Sequence, residues 1–138
     1  MCPHIARTVS TCVCHLRRLR QLRRIADQSN MQRLVSAFVI ARLNYCNSVM
    51  AGLSASSLAP FSRVLSAAVR LVAGLVPRDH ATEYMKRLHW LPIQFRIKFT
   101  LCVLMYGAVY GQSPSYIRDV FVPLIELPGH SRLRSAAA

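Results

Sequence analysis

The sequence predicts an all-α protein, a small bundle of about five or six helices with a disordered C-terminal tail. Apolar side chains recur at three- and four-residue steps over most of the chain, which is typical of amphipathic helices. Strand signals are scarce, and 53% of the 138 residues are apolar, enough for one buried core. We therefore expect a single helical domain over residues 1–122 and a flexible tail over residues 123–138.

The first two helices are predicted from their apolar stripes. The stripe of a helix over residues 5–26 consists of Ile5, Val9, Cys12, Leu16, Leu19 and Ala26. The segment "DQSN" then supplies capping residues for a second helix over residues 31–51, which Gly52 ends. The expected inner stripe of this second helix consists of Leu34, Phe38, Ala41, Tyr45 and Val49.

Four further helices are expected after Gly52. The segment "SASS" caps a helix over residues 58–75, which Pro77 ends. Its inward side chains are Phe61, Leu65, Ala68 and Val72, and its outward ones are Arg63 and Arg70. A short helix over residues 81–88 has Thr82 as its expected cap. The helix over residues 92–110 is apolar almost all round, so we expect it inside the bundle, and a last short helix ends near residue 121.

The stretch "LHWLP" contains the only tryptophan of the chain, Trp90, two residues before Pro92. Proline suits the first position of a helix because its φ is fixed and it lacks an N–H donor. It also disfavours a helical conformation at Leu91, so the preceding helix must already have ended. We expect Trp90 to fill the junction between the two helices.

Charge points to a polyanionic partner. Basic residues outnumber acidic ones by 18 to 5, for a net charge of +13. This excess favours nucleic acid or an anionic membrane surface. Sixteen of the 18 basic residues are arginine, which binds phosphate bidentately and stacks on bases. A GC-rich coding sequence produces the same bias, so both explanations of it stay open.

The strongest chemical signal is "HLRRLRQLRRIA", where five arginines lie within eight residues of an amphipathic helix. Each phosphate contact from such a residue adds to affinity for nucleic acid and to its salt dependence. Charge runs are usually solvated faces, but this one has a single sign and no acid before Asp27. The candidate residues for binding RNA or an RNA–DNA hybrid are Arg17, Arg18, Arg20, Arg23 and Arg24.

The sequence offers little for catalysis. Metal-assisted phosphoryl chemistry needs clustered carboxylates, and the only acidic residues are Asp27, Asp79, Glu83, Asp119 and Glu126. Cys12 and Cys14 have one residue between them, which does not match the spacing of zinc ligands. Nucleophile and glycine-rich phosphate-loop motifs are also missing. We therefore expect no enzymatic activity, no metal or cofactor and no small-molecule substrate.

Five cysteines without a secretory signal predict a reducing compartment, the nucleus or cytoplasm. The apolar run over residues 99–110 is shorter than the roughly 20 residues of a membrane-spanning helix, so a membrane partner is not expected. An alternative follows from residues 1–26, which contain six arginines and no acid, as mitochondrial presequences do. Under that alternative the N-terminus directs the protein to an organelle or a membrane surface.

Five segments appear in this order along the chain: "LVSAFVIARLNYCNSVMAGL", "RVLSAAVRLVAG", "RDHATEYMKRLHWLPIQFRIKF", "MYGAVYGQSPSYIRDVF" and "SRLRS". Together they resemble the reverse transcriptases of LINE-type retrotransposons, most of all the clade of the chicken-repeat elements. The match covers nearly the whole chain, from about Ile5 to Ser135. The most specific pieces are "RLNYCNS", "LHWLP" with the later Arg-Ile, and G-x-x-P-x-Y.

The resemblance implies a helical, thumb-like region that follows the catalytic palm and helps to hold template and primer. The palm and its aspartates have no counterpart here, so the chain is similar to a non-catalytic fragment cut at both ends. Trp90 and Pro92 then form a structural corner rather than a binding site. Departures include Gly107, where the family commonly has lysine, and Arg87 and Lys98, where it often has acids. An open reading frame with no selected function is a further alternative.

Overall fold

The computed structural model describes residues 3–45, 47–76 and 79–120, and these residues form helices without any strand. The described residues form six continuous helical segments. One of them consists of α2 (Gln28–Val35), a π turn (Ser36–Ile40) and α3 (Ala41–Asn44). The other five are α1 (Pro3–Leu22), α4 (Ala55–Ala73), α5 (Ala81–Arg87), α6 (Ile93–Val109) and α7 (Ser115–Arg118). A 3₁₀ turn, Asn47–Met50, follows α3. The all-α prediction is confirmed, and the predicted tail over residues 123–138 lies outside the described residues.

The chain divides into two compact units, Met1–Lys98 and Phe99–Ala138. The division falls inside α6, so the first unit contains α1 to α5 and the beginning of α6, and the second contains its remainder and α7. The single domain over residues 1–122 stays a prediction.

Helix ends follow from capping residues. Asp27 and Ser54 have extended backbones and accept hydrogen bonds from the N–H groups of Asn30 and Ser57, at 3.0 and 3.3 Å. Both caps lie in the polar segments that predicted them.

Two other predicted helix ends were wrong. Helix α4 ends at Gly74, whose φ of +68° is readily adopted by glycine, and not at Pro77, which lies outside the described residues. Thr82 lies within α5, where His80 is the N-cap residue without a side-chain hydrogen bond.

The core of the first unit lies where α1 and α4 pack on each other and on the α2–α3 helix. In α1 the buried side chains are Ile5, Cys12, Leu16 and Leu19, as the stripe predicted, whereas Val9 and Ala26 are only partly buried. In α4 the four residues predicted to face inward, Phe61, Leu65, Ala68 and Val72, are all buried. This packing fixes the position of the polar face of α1 beside that of α4.

The inner face of the second helix was predicted wrongly. Phe38, Tyr45 and Val49 are 44%, 70% and 80% exposed. The buried face instead consists of Met31, Val35, Val39, Ile40 and Leu43. This helix has apolar residues on two sides, and the π turn adds a residue within it, so the period alone did not determine which side faces α1 and α4.

The expectation that α6 is fully buried was also wrong. Ile93, Ile97 and Ala108 are buried, but several large apolar side chains of α6 are 50% exposed or more. These are Phe95, Phe99, Val103, Met105, Tyr106 and Val109. The apolar composition of a helix therefore does not by itself determine its burial.

Candidate nucleic-acid interface

The arginines of the first helix lie on the surface of the first unit, and three of them share one groove. Arg17, Arg20 and Arg24 are exposed and, with Gln21, line a groove of about 440 Å³. They recur at steps of three and four residues, which places them on one side of a helix. Arg24 lies beyond the end of α1, where a turn bonded from Arg23 N–H to the Arg20 carbonyl (3.3 Å) continues the chain.

A second recess lies between the C-terminal turns of α1 and α4. Arg20, Arg23 and Arg70 line it together with apolar residues, and its volume is about 510 Å³. The apolar lining consists of Ala67, Leu71, Gly74 and Leu75. We call this recess the arginine cleft. It brings guanidinium groups of two helices into one space.

Gly74 makes room for one of these guanidinium groups. A Cβ atom built on Gly74 would lie 2.5 Å from Nη2 of Arg23. The half-buried Arg23 side chain therefore lies directly over the glycine that ends α4. The absence of a side chain at this position lets the two helix ends approach closely.

Arg70 is the functional candidate that the sequence prediction missed. It was expected to face outward, but it is only partly exposed, and its Nε atom is buried with no hydrogen-bond partner among the described residues. Arg70 also lines a third recess of about 510 Å³ with Arg63 and residues of α4 that carry small side chains. The sequence feature that could have identified Arg63 and Arg70 was their seven-residue spacing on the polar face of α4.

The three recesses share lining residues. Arg20 borders the groove and the arginine cleft, and Arg70 borders the cleft and the third recess. We call the combined set the arginine surface; its members are Arg17, Arg20, Arg23, Arg24, Arg63 and Arg70. In the part of the chain that the structure describes, no acidic side chain lines these three recesses.

Arg18 does not join this surface. It is exposed, but it lines none of the three recesses. Successive residues of an α-helix are about 100° apart around the axis, so Arg18 lies to the side of the line from Arg17 to Arg24. The structure therefore brings together four of the five predicted residues and adds two from α4.

A further basic recess lies beside the N-terminal half of α1 and has a volume of about 540 Å³. Arg7 and Arg42 line it with His4, two threonines and the aromatic ring of Tyr45. Two residues of small side chain, Ala37 in the π turn and Ala41 just after it, complete the lining. No sequence prediction singled out this group, because its members come from separate helices.

Trp90 and Pro92 lie in the turn between α5 and α6. Trp90 is 9% exposed, and its backbone N–H donates to the Met85 carbonyl at 2.9 Å. The carbonyl of Pro92 accepts from the Arg96 N–H at 3.0 Å, at the start of α6. Arg96 also donates from Nε to the Leu91 carbonyl (2.7 Å), which ties its side chain to the same turn. Neither Trp90 nor Pro92 lines any of the four recesses.

The described residues contain no group of three or more His, Cys, Asp or Glu side chains that could hold a metal ion. Cys12 is buried, and burial raises the pKa of its thiol, an effect that the positive charge of Arg42 partly opposes. Cys14 is exposed. None of the described helices combines the length and apolarity needed to cross a bilayer.

Comparisons with protein-family models, with curated proteins and with solved structures find no match to this chain. The resemblance to LINE-type reverse transcriptases therefore stays a prediction that rests on the quoted sequence segments.

Proposed function

We propose that this chain binds RNA and DNA without base specificity through the arginine surface, as a non-catalytic fragment derived from a LINE-type reverse transcriptase. The observation that carries the proposal is that six arginines line three adjoining recesses, four from α1 and the turn after it and two from α4. Among the described residues, no acidic side chain lines these recesses. A repeating polyanion is the ligand that such a surface fits best.

The dimensions of the surface suit a nucleic-acid backbone. Arg63 and Arg70 are seven residues apart in α4. At about 1.5 Å per helical residue, this pair spans roughly 10 Å. Double-stranded DNA carries one charge per roughly 1.7 Å of axis, so several phosphates face a surface of this length. Contacts to phosphate position a protein on nucleic acid without reading its sequence.

A purely structural role accounts for only part of the arrangement. Arg20 and Arg70 lie in the last turns of α1 and α4, where a positive charge interacts favourably with the helix dipole. That interaction falls off within one turn, so it gives no reason for Arg17 or Arg63. The full surface is better explained by an anionic partner.

Targeting by the N-terminus is the second candidate. Its amphipathic face is the stripe of α1, and in the folded first unit this stripe is buried. Targeting therefore requires α1 to leave the core, whereas binding of nucleic acid uses the folded protein. We propose a nuclear or cytoplasmic location, consistent with the free thiols of Cys12, Cys14 and Cys102. Mitochondrial import of a reporter fused to residues 1–26 would favour the alternative.

The proposal is tested by titrating a fluorescently labelled RNA–DNA hybrid with the full chain at low salt and following anisotropy. The variant Arg17→Gln/Arg20→Gln/Arg24→Gln removes three charges from the groove. With about 0.5 kcal/mol for each exposed ionic contact, the dissociation constant should rise about tenfold.

A matched control removes the same charge elsewhere. Arg33, Lys86 and Arg87 are exposed and line none of the three recesses of the arginine surface. Their triple glutamine variant should bind the hybrid with a smaller loss than the groove variant. Absence of binding by the unmodified chain, or equal losses in the two variants, contradicts the proposal.

A further inference from the structure

We infer that the arginine cleft is a phosphate-binding site, in which Arg20, Arg23 and Arg70 together hold one phosphoryl group. Assigning that group to the backbone of a bound nucleic acid rests on the proposed function. The chemistry of the cleft itself does not rest on it, because three arginines that line one recess favour an anion whatever molecule that anion belongs to.

The arrangement of the cleft favours a tightly held anion over a loosely screened one. Ala67, Leu71 and Leu75 line the recess together with the three arginines. Apolar walls reduce the local dielectric response, so a charge–charge interaction in the cleft is stronger than on open surface. A volume of about 510 Å³ lies within the usual range of small-ligand sites and admits a phosphate with the groups attached to it.

Arg70 provides an independent indication of a ligand. Its Nε–H is buried and has no hydrogen-bond partner among the described residues, which is unfavourable for a charged donor. The same side chain lines the arginine cleft. A phosphate oxygen is an acceptor of the kind that this donor lacks, and binding one requires the Arg70 side chain to turn its Nε–H towards the cleft. Guanidinium groups bind phosphate through two parallel N–H donors.

Arg23 lies where it can contribute to the same site. Its guanidinium lies over Gly74, and a side chain at that position would displace it. Because no acidic side chain of the described residues lines the cleft, the three positive charges repel one another in the free protein. An anion in the cleft removes this repulsion, and a ligand that binds only the folded state also raises its stability.

The test uses inorganic pyrophosphate as the probe and the full chain as the protein. Binding is measured by calorimetry, and the thermal unfolding midpoint is measured with and without pyrophosphate, both in chloride buffer of constant ionic strength. We expect a midpoint that rises with pyrophosphate concentration. Arg70→Gln should weaken binding about tenfold or more, which corresponds to the loss of one charged contact to a desolvated anion.

Arg18→Gln is the matched control, because Arg18 is an exposed arginine of α1 that does not line the cleft. It removes the same charge and should leave pyrophosphate binding nearly unchanged. Arg23→Gln removes an arginine from the other side of the cleft and should also weaken pyrophosphate binding. If Arg70→Gln does not give the helical circular-dichroism spectrum of the unmodified chain, the result with Arg23→Gln decides whether the cleft binds pyrophosphate.

The outcomes separate this inference from the proposed function. Failure of pyrophosphate to bind, or equal weakening in the cleft variants and in Arg18→Gln, overturns the phosphate site even if nucleic acid binds. Pyrophosphate binding that depends on Arg70 and Arg23, without any binding of the RNA–DNA hybrid, supports the site and contradicts the proposed function. Competition between pyrophosphate and the hybrid identifies the bound group as a backbone phosphate.

Discussion

The salt dependence of DNA binding measures how far the contact surface extends beyond α1. The structure brings together four arginines of the α1 region and two of α4. If each contacts one phosphate of duplex DNA, log K should fall with log salt with a slope of about −5, at roughly 0.9 for each contact. Affinity should then fall about a thousandfold between 50 and 200 mM salt.

The informative perturbation is Arg63→Gln/Arg70→Gln, which alters only α4. Losing two of the six contacts should change the slope to between about −3 and −4, and the same increase in salt should weaken binding only about a hundredfold. Anisotropy titrations of a labelled duplex at several salt concentrations give both slopes. Arg18→Gln, made in parallel, should leave the slope unchanged. A slope that is identical in the unmodified chain and the α4 variant would refute the participation of α4.

Two further predictions concern the first unit that carries the surface. Phe61 is 1% exposed and Phe95 is 56% exposed, so Phe61→Ala should lower the free energy of unfolding by about 3–5 kcal/mol and Phe95→Ala by only about 1 kcal/mol, measured by urea denaturation. Burial raises the pKa of Cys12 above its ordinary 9.0, which favours the neutral thiol in the folded state. Its contribution to stability is therefore complete below pH 9 and falls as pH rises further, a dependence that Cys12→Ala should reduce.

Local patterns predicted the helices well because their causes lie in neighbouring residues. The caps Asp27 and Ser54 bond to N–H groups three residues further along the chain, so a short polar segment is enough to identify them. The stripe of α4 was correct because its apolar residues lie on one side only. Its end was misplaced because Gly74 stops the helix before Pro77 is reached.

The apolar periodicity did not predict the buried side correctly where two faces of a helix were equally apolar. The second helix has Val35 and Val39 on one side and Phe38 and Tyr45 on another, and periodicity does not rank them. Packing against α1 and α4 determined which side of this helix is buried, and the π turn between α2 and α3 shifted the register within the helix. The exposed side chains of α6 show the same limitation.

The sequence by itself determined that this protein is helical, strongly basic and equipped with an arginine-rich helix face, because composition and helical period are local properties. Only the tertiary structure decided that Arg70 borders the same cleft as Arg20 and Arg23, and that Arg18 is excluded from it. Residues 20 and 70 are fifty positions apart, and no local spacing relates them. Their proximity results from the burial of the apolar stripes of α1 and α4 against each other, which places the polar flanks of the two helices side by side.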